Sequence, residues 1–469
     1  MPDFNLLSDP YQSRARMASA QSLVNLYPEL QTDSAVVLYG TPGLSTVATM
    51  TDSGCRGMVV ANDLLFAVFG PTVYQIDTNI VPYTIGTIGT SSGPVSMASN
   101  GTQIMLLDGT ATGYIITISA RTIAAIADTD FPGGADVAFS SGVFLFREPD
   151  SGRFWATDSY NGASLDGLSF ATTESSPDNL NGLLTDHGEV WLAGTGSIEV
   201  WHNTGSSDFP FSLIPGAIIE TGCAAGQSMR KVDNSIFWLG QDSRGQGTVW
   251  RANGYTPERV STHAVEFAIS NYSRIDDAVA WTYQQDGHLF YVLTFPTADA
   301  TWVYDVATQR WHQRSWMQPN DGTLHRHRGA AHAWFAGRHL VGDHTSGALY
   351  EMDMDIYSDD GDAIRREIVT PHLRNQKDRM FYHDLEVRME TGVGLVSGQG
   401  SYPQISLECS NDGGRTWGNA RPVSFGAMGE YQTRARWAAL GSTLAGRTFR
   451  LRITDPVPVC IVDARLTFS

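Results

Sequence analysis

Gly57-Met58-Val59-Val60-Ala61, then Leu64-Leu65-Phe66-Ala67-Val68-Phe69, then Val73-Tyr74-Gln75-Ile76-Asp77 is the stretch that decides the fold. It reads as a strand of small residues, a polar turn, a strongly apolar strand, a Gly-Pro turn and an aromatic-bearing strand. The same unit recurs along the chain. Its apolar middle strands begin near residues 64, 104, 143, 189, 236, 289 and 339, at spacings of 40, 39, 46, 47, 53 and 50. A period of roughly 40–50 residues with three or four strands per unit marks a β-propeller. Seven blades is the count, and six is the competitor if a terminal unit belongs to another domain.

Working outward, short β-type runs are separated by Gly, Asp, Asn and Ser throughout. Asn100-Gly101, Asp108-Gly109 and Asp286-Gly287 supply the positive-φ positions of tight hairpins. Long stretches of 3.6-residue periodicity are almost absent, and the best helical candidate is Tyr11–Leu26. Past residue 360 the repeat stops. Asp353–Asp362 reads as a solvated acidic connector, and its residue order does not meet the EF-hand pattern. Strand ladders follow at Leu385–Met389, Gln404–Cys409, Thr448–Ile453 and Ile461–Phe468, with Arg450 and Arg452 on one face of their strand. The expected organisation is all-β: an N-terminal segment (1–50) packed with a platform, a β-propeller (51–360), and a C-terminal β-sandwich platform (361–469).

Composition narrows the function. The 469 residues are 42% apolar, enough for sizeable cores, and carry a formal charge of −18. Only two of the 31 basic residues are Lys, Lys231 and Lys377. Residues 365–469 hold 14 Lys plus Arg against 10 Asp plus Glu, a net +4, so the first 364 residues carry −22. This balance argues against a general nucleic-acid coat, whose affinity comes from Lys and Arg on phosphates. No apolar run approaches a membrane span, and Met1–Asn5 lacks the basic start of a signal peptide. Cys55, Cys223, Cys409 and Cys460 read as buried thiols in a reducing compartment, with a Cys409–Cys460 contact across one sheet left open.

Chemistry-bearing patterns are few. Ser410-Asn411-Asp412-Gly413-Gly414-Arg415-Thr416-Trp417 fits the Asp-box hairpin, in which Asp412 bonds the backbone ahead of it, Gly414 accepts positive φ and Trp417 tucks under the turn. Asp boxes recur in sialidase propellers, but this one is single and lies outside the repeats, so it reads as a structural turn. Half of the 12 histidines cluster at His312, His325, His327, His332, His339 and His344. His325-Arg326-His327 could place two imidazoles on one side of a strand, yet no carboxylate or Cys completes a ligand set, and packed blade histidines are the better reading. No nucleophile elbow, phosphate loop or zinc-protease motif is present. No catalytic residue, cofactor or metal is expected, and binding or assembly outranks catalysis.

Two sets of segments resemble a known family. Asn25-Leu26-Tyr27-Pro28-Glu29, followed by Leu38-Tyr39-Gly40-Thr41-Pro42-Gly43-Leu44, resembles the opening of the packaged-DNA stabilisation proteins of short-tailed bacteriophages. Val369-Thr370-Pro371-His372, Ser410–Trp417, Gly426–Tyr431, Arg434-Ala435-Arg436-Trp437, Leu440-Gly441 and Ile453–Val457 resemble that family's closing domain. The resemblance implies a tail nozzle protein of the virion, assembled in the host cytoplasm. It would form a homo-hexameric ring below the portal and the head-to-tail adaptor ring. That ring would extend the DNA channel, retain the packaged genome and gate its ejection. It would dock tail fibres or spikes, meet a needle or internal gate, and pass double-stranded DNA without sequence-specific binding. An acidic wall suits such a conduit, because it repels phosphates at short range. The candidate platform residues are Tyr27, Pro28, Glu29, Tyr39, Arg365, Arg366, Arg374, Arg379, Arg434, Arg436, Arg450 and Arg452, the arginines being suited to an acidic partner ring. The competing readings are a propeller glycosidase or depolymerase and a receptor-binding tail protein.

Overall fold

The computed structural model describes residues 12–31, 36–176, 178–206, 209–241, 247–374 and 378–469. Seven antiparallel four-stranded units, five of them separate sheets and two merged into larger ones, succeed one another, with inner strands at Cys55–Ala61, Ser96–Ser99, Val137–Ser140, Leu180–Asp186, Arg230–Val232, Val279–Gln285 and Gly329–Phe335. These are the seven blades. Their second strands, from Leu64–Phe69 to Arg338–Asp343, begin within a residue of the periodic positions.

The apolar runs have a packing explanation. A blade is sandwiched between two others, so both faces of its second strand are buried. In blade one, Leu65, Ala67 and Phe69 face a cluster shared with blade seven, through Phe335, Leu340 and Leu349. Phe66 and Val68 face the opposite way, against Ile104, Leu106 and Ile116 of blade two. Alternation of side chains is preserved, but both faces are apolar. Six of the seven inner hairpins turn on two successive left-handed residues: Asn62-Asp63, Ser141-Gly142, His187-Gly188, Asp233-Asn234, Asp286-Gly287 and Ala336-Gly337. Such mirror-image turns match the right-handed twist of the strands they join.

The ring closes with a strand from the other end of the chain. Blade seven has three local strands, and its outer edge is filled by Gly43–Thr49, antiparallel to Ala348–Asp353. The sequence-based boundary at residue 50 is therefore corrected. Gly43–Thr49 belongs to the propeller, because an unfilled edge would leave a row of backbone donors and acceptors unpaired. The pattern of seven apolar middle strands cannot reveal which distant segment supplies the missing outer strand.

The Tyr11–Leu26 helix is also corrected. Tyr11 and Met1–Asn5 lie outside the described residues. Gln12–Ala20 forms turns closed by a Gln12–Ala20 bridge, and Ser22–Val24 and Leu26–Leu30 are strands. Two open strand edges recruit this apolar segment, so tertiary pairing overrides its local helical spacing. The α-helix of the described residues is His263–Ser270, between blades five and six. Thr262 caps it by accepting from Val265 N (3.4 Å), and Val265 and Ile269 fill the blade interface.

Residues from 366 onward build two facing sheets around a core of Leu385, Ile405, Leu407, Trp437, Phe449, Leu451 and Ile461. All four cysteines are free thiols. Cys409 and Cys460 lie on strands of different sheets, so the contact across one sheet does not form. Burial pushes the Cys55 and Cys223 thiols up to about 12. Among the described residues, no helix is long and apolar enough to cross a membrane.

Candidate functional site

The propeller and the sandwich are joined by the N-terminal segment. Ser22–Val24 pairs in parallel with the outer strand of blade six (Val24 opposite Gln313) and antiparallel with Arg366–Val369. Blade six and one sandwich sheet thereby become a single nine-stranded sheet. At Asn25 the chain turns with φ +53. Its amide donates to Ser315 O (2.8 Å) and Arg365 O (2.9 Å), and its Oδ1 accepts from Ser315 N (2.8 Å). One side chain thus ties blade six, the N-terminal segment and the connector. Beyond it, Leu26–Leu30 and Val36–Gly40 enter the second sandwich sheet, the latter pairing Leu38 with Ile461.

Tyr27 and Pro28 are buried, and Glu29 and Tyr39 are half-buried. The Tyr27 ring lies edge-on to His288 (5.1 Å) and Phe290 (5.5 Å), and burial pushes its phenol well above the usual range. His288 Nδ1 bonds Asp305 (2.8 Å), and Nε2 approaches Glu29 (3.6 Å). The hydrogen bond His288 donates to Asp305 raises the His288 pKa against the opposing cost of burial. Arg314 is fully buried, hydrogen-bonds Tyr283 and lies over the rings of Tyr283 and Phe290. The platform motif seen in sequence is therefore internal mortar of this chain.

The acidic connector is likewise more than a solvated turn. Asp360 caps Thr46 N (3.1 Å), and Asp362 accepts from Trp316 Nε1 (2.9 Å) and approaches Arg328 (3.7 Å). Asp359 is 4% exposed, on a short strand beside Leu44. Burial raises its carboxyl from 3.8 to about 7, although Arg328, Arg366 and Arg314 oppose that rise. Arg366 is 1% exposed, and burial lowers its guanidinium to about 10. The chain leaving blade seven must pass the closing strand Gly43–Thr49 to reach the sandwich, which drags these acids inward.

The remaining candidate arginines are mostly engaged within the chain. Arg365 pairs with Glu367, Arg450 with Glu408 (2.6 Å), and Arg452 with both Glu367 (2.9 Å) and Glu408 (3.1 Å). Arg434 grips Glu386 with two nitrogens, and Arg436 pairs with Asp384 (3.1 Å). Arg379 bonds the Ser442 hydroxyl (3.2 Å), and Arg374 is exposed. The planar fork that suits arginine to partner carboxylates is used here mainly on carboxylates of the facing strands.

The Asp box forms the turn its sequence spells. Asp412 accepts from Arg415 N, Thr416 N (both 2.9 Å) and Thr416 Oγ1 (2.6 Å), and these bonds hold its carboxyl far below the usual range. A Cβ on Gly414 would lie 3.3 Å from Trp417, whose ring is covered by Arg450 at 4.1 Å. The histidine cluster is divided. His325 bonds Asp299 (2.6 Å), whereas His327 is buried, accepts from Gly329 N (3.0 Å) and is pushed down to about 3 by desolvation. Among the described residues, no group of three or more His, Cys, Asp or Glu could hold a metal ion.

Sequence reasoning missed the feature most suited to assembly. Loops 391–402 and 426–433 meet at one end of the sandwich, joined by Gly429 N to Gly392 O (3.1 Å) and Thr391 Oγ1 to Tyr431 O (2.9 Å). They present Val396 (86% exposed), Tyr431 (75%), Tyr402 (69%) and Met428 (59%). Solitary exposed apolar residues are ordinary, but four at one loop pair form a contact patch. The Gly426–Tyr431 motif was the available signal.

One family model, described as bacteriophage P22 Gp10, beta-propeller, matches residues 11–357, and a second, bacteriophage P22 Gp10, beta-sandwich, matches residues 365–469. No curated protein sequence matches the chain. A solved chain described as "Crystal Structure of Mitotic Checkpoint Complex" aligns at TM-score 0.42 and 13% identity, covering 66% of this chain and 92% of that one. Nothing about function follows from so remote a likeness. With propeller and sandwich matched in order over nearly the whole length, the chain belongs to the bacteriophage P22 Gp10 family, structural tail nozzle and packaged-DNA stabilisation proteins of short-tailed phages.

Proposed function

We propose that six copies of this chain form the nozzle ring below the portal and adaptor rings, extend the DNA channel, retain the packaged genome until ejection, and carry the fibres or spikes. The observation that carries this reading is the apolar end of the sandwich, where Val396, Tyr402, Met428 and Tyr431 stand in solvent on pinned loops. Ordered apolar surface of this kind is stabilised by burial against a partner. Repeating one such heterologous contact about an axis closes a ring. The acidity of the first 364 residues supports the channel role, since a wall of the same sign as DNA lets the duplex slide. The arginine pairs inside the sandwich move the expected docking contact from the sheet faces to the apolar loops. Arg374 and Arg379 stay available to a partner.

The test is imaging of purified tails labelled on this chain, together with addition of the chain to portal–adaptor complexes. A six-fold ring at the distal tail is expected, with Val396→Asp/Tyr431→Asp protein folding normally but failing to add. Label on fibres or capsid, or undiminished addition by the double variant, overturns the reading.

A further inference from the structure

A basic groove lies where the N-terminal segment crosses between helix His263–Ser270 and the Asp box. Arg14 and Arg16 form one wall and Arg415 another, around a cavity of about 540 Å³ floored by Ala264, Phe267 and Tyr272. Arg14 and Arg16 are exposed, with no carboxylate partner among the described residues. Arg415 spends one nitrogen on the Asp412 carbonyl (3.1 Å). Among the described residues, the nearby acids are already occupied. Glu266 is taken by Arg259 and Ser261, Asp412 by its own turn, Glu367 by Arg365 and Arg452, and Glu408 by Arg450 and Arg452. At the helix end, Phe267 O accepts from Ser270 Oγ (2.8 Å) and Asn271 Nδ2 (2.6 Å), so its lone pairs do not compete for the guanidinium donors. Three guanidinium groups with no carboxylate partner among the described residues, around an apolar floor, are an unusual local excess in a chain of net charge −18.

We propose that this groove takes an acidic peptide segment of a partner protein, with carboxylates on Arg14, Arg16 and Arg415 flanking one apolar side chain on Phe267 and Tyr272. Charge selects the carboxylates, and the planar guanidinium fork pairs them with two parallel hydrogen bonds. The apolar floor selects a peptide over DNA, because the phosphate backbone has nothing to bury there. A duplex would also meet long-range repulsion from the acidic propeller. The groove is complete within one copy, so this inference stands or falls independently of the ring.

Fluorescence anisotropy of the full chain with a labelled Glu-Glu-Leu-Glu-Glu peptide tests it, against a Gln-Gln-Leu-Gln-Gln peptide and against duplex and single-stranded DNA. The acidic peptide should bind the chain more tightly than the Gln peptide or either DNA, and more weakly as salt rises. Arg14→Glu/Arg16→Glu/Arg415→Glu protein should bind it at least roughly tenfold more weakly and gain affinity for Lys-Lys-Leu-Lys-Lys. Arg121→Glu, on the outer hairpin of blade two, should leave it unchanged. Phe267→Ser should erase the preference for a Leu-centred over a Ser-centred acidic peptide while keeping the salt dependence. Equal binding of the acidic and Gln peptides, undiminished binding by the triple variant, or preferential binding of either DNA overturns the proposal.

Discussion

Asp359→Asn should stabilise this protein, and increasingly so as pH rises. Asp359 is 4% exposed, and its carboxyl titrates near 7 instead of 3.8 because burial disfavours the charge more than Arg328, Arg366 and Arg314 favour it. A folded-state pKa above the unfolded value means that the group's full stabilisation is present below pH 3.8 and is lost as pH rises through about 7. Three pKa units correspond to about 4 kcal/mol. Between pH 5 and pH 8 the folded protein should lose about 2–3 kcal/mol of that through this one group. The neutral isostere does not ionise, so the stability gap between Asp359→Asn and the parent should widen by the same amount. His288, whose pKa is raised, and the buried histidines, whose pKa values are lowered, impose their own slopes, but these are common to both proteins and subtract out. Urea unfolding at half-unit steps of pH, followed by tryptophan fluorescence, reads the gap directly. A gap that stays constant from pH 5 to pH 8, or a variant less stable than the parent at pH 8, would refute the assignment of a buried carboxyl whose arginine neighbours only partly offset its desolvation.

Asn25→Ala should cost roughly 3–4 kcal/mol, from three lost hydrogen bonds and a left-handed residue that no longer tolerates φ +53, whereas Asn25→Gly should cost about 1 kcal/mol less; equal urea midpoints for the two variants would remove the backbone contribution. Gly226→Ala should prevent folding or sharply lower the urea midpoint, because its Cβ would lie 1.7 Å from Asn181 O on the neighbouring blade, while Gly254→Ala, with open space around it, should cost only about 1 kcal/mol for its positive φ; comparable midpoints for the two would contradict the blade-to-blade contact.

Legibility in sequence followed the range of the interactions. The propeller was readable because each blade repeats a local event, an apolar strand between two tight turns, and the seven middle strands begin where periodicity puts them. Asp412 was readable because every partner of its carboxylate lies within four residues. The arginines were readable as a set but not by role. Whether Arg434 faces a partner or Glu386 depends on two strands 48 residues apart coming into register. The exposed end of the sandwich was hidden for the same reason, since apolar residues in two separate loops look like core until the loops are seen to meet outside it.

By itself the sequence determined an all-β chain, a repeat of 40–50 residues counted as seven blades with six left open, a second β unit after it, and an uneven charge. These properties are sums over local residues and survive without knowledge of any long-range contact. Only the tertiary structure decided that Gly43–Thr49 closes blade seven, that Ser22–Val24 fuses blade six to the sandwich, and that Asp359 is buried among arginines. The first two satisfy open strand edges by reaching hundreds of residues along the chain, and the third follows from how the connector packs against the closing strand. An edge accepts any strand of suitable length, so only the fold as a whole selects which one arrives.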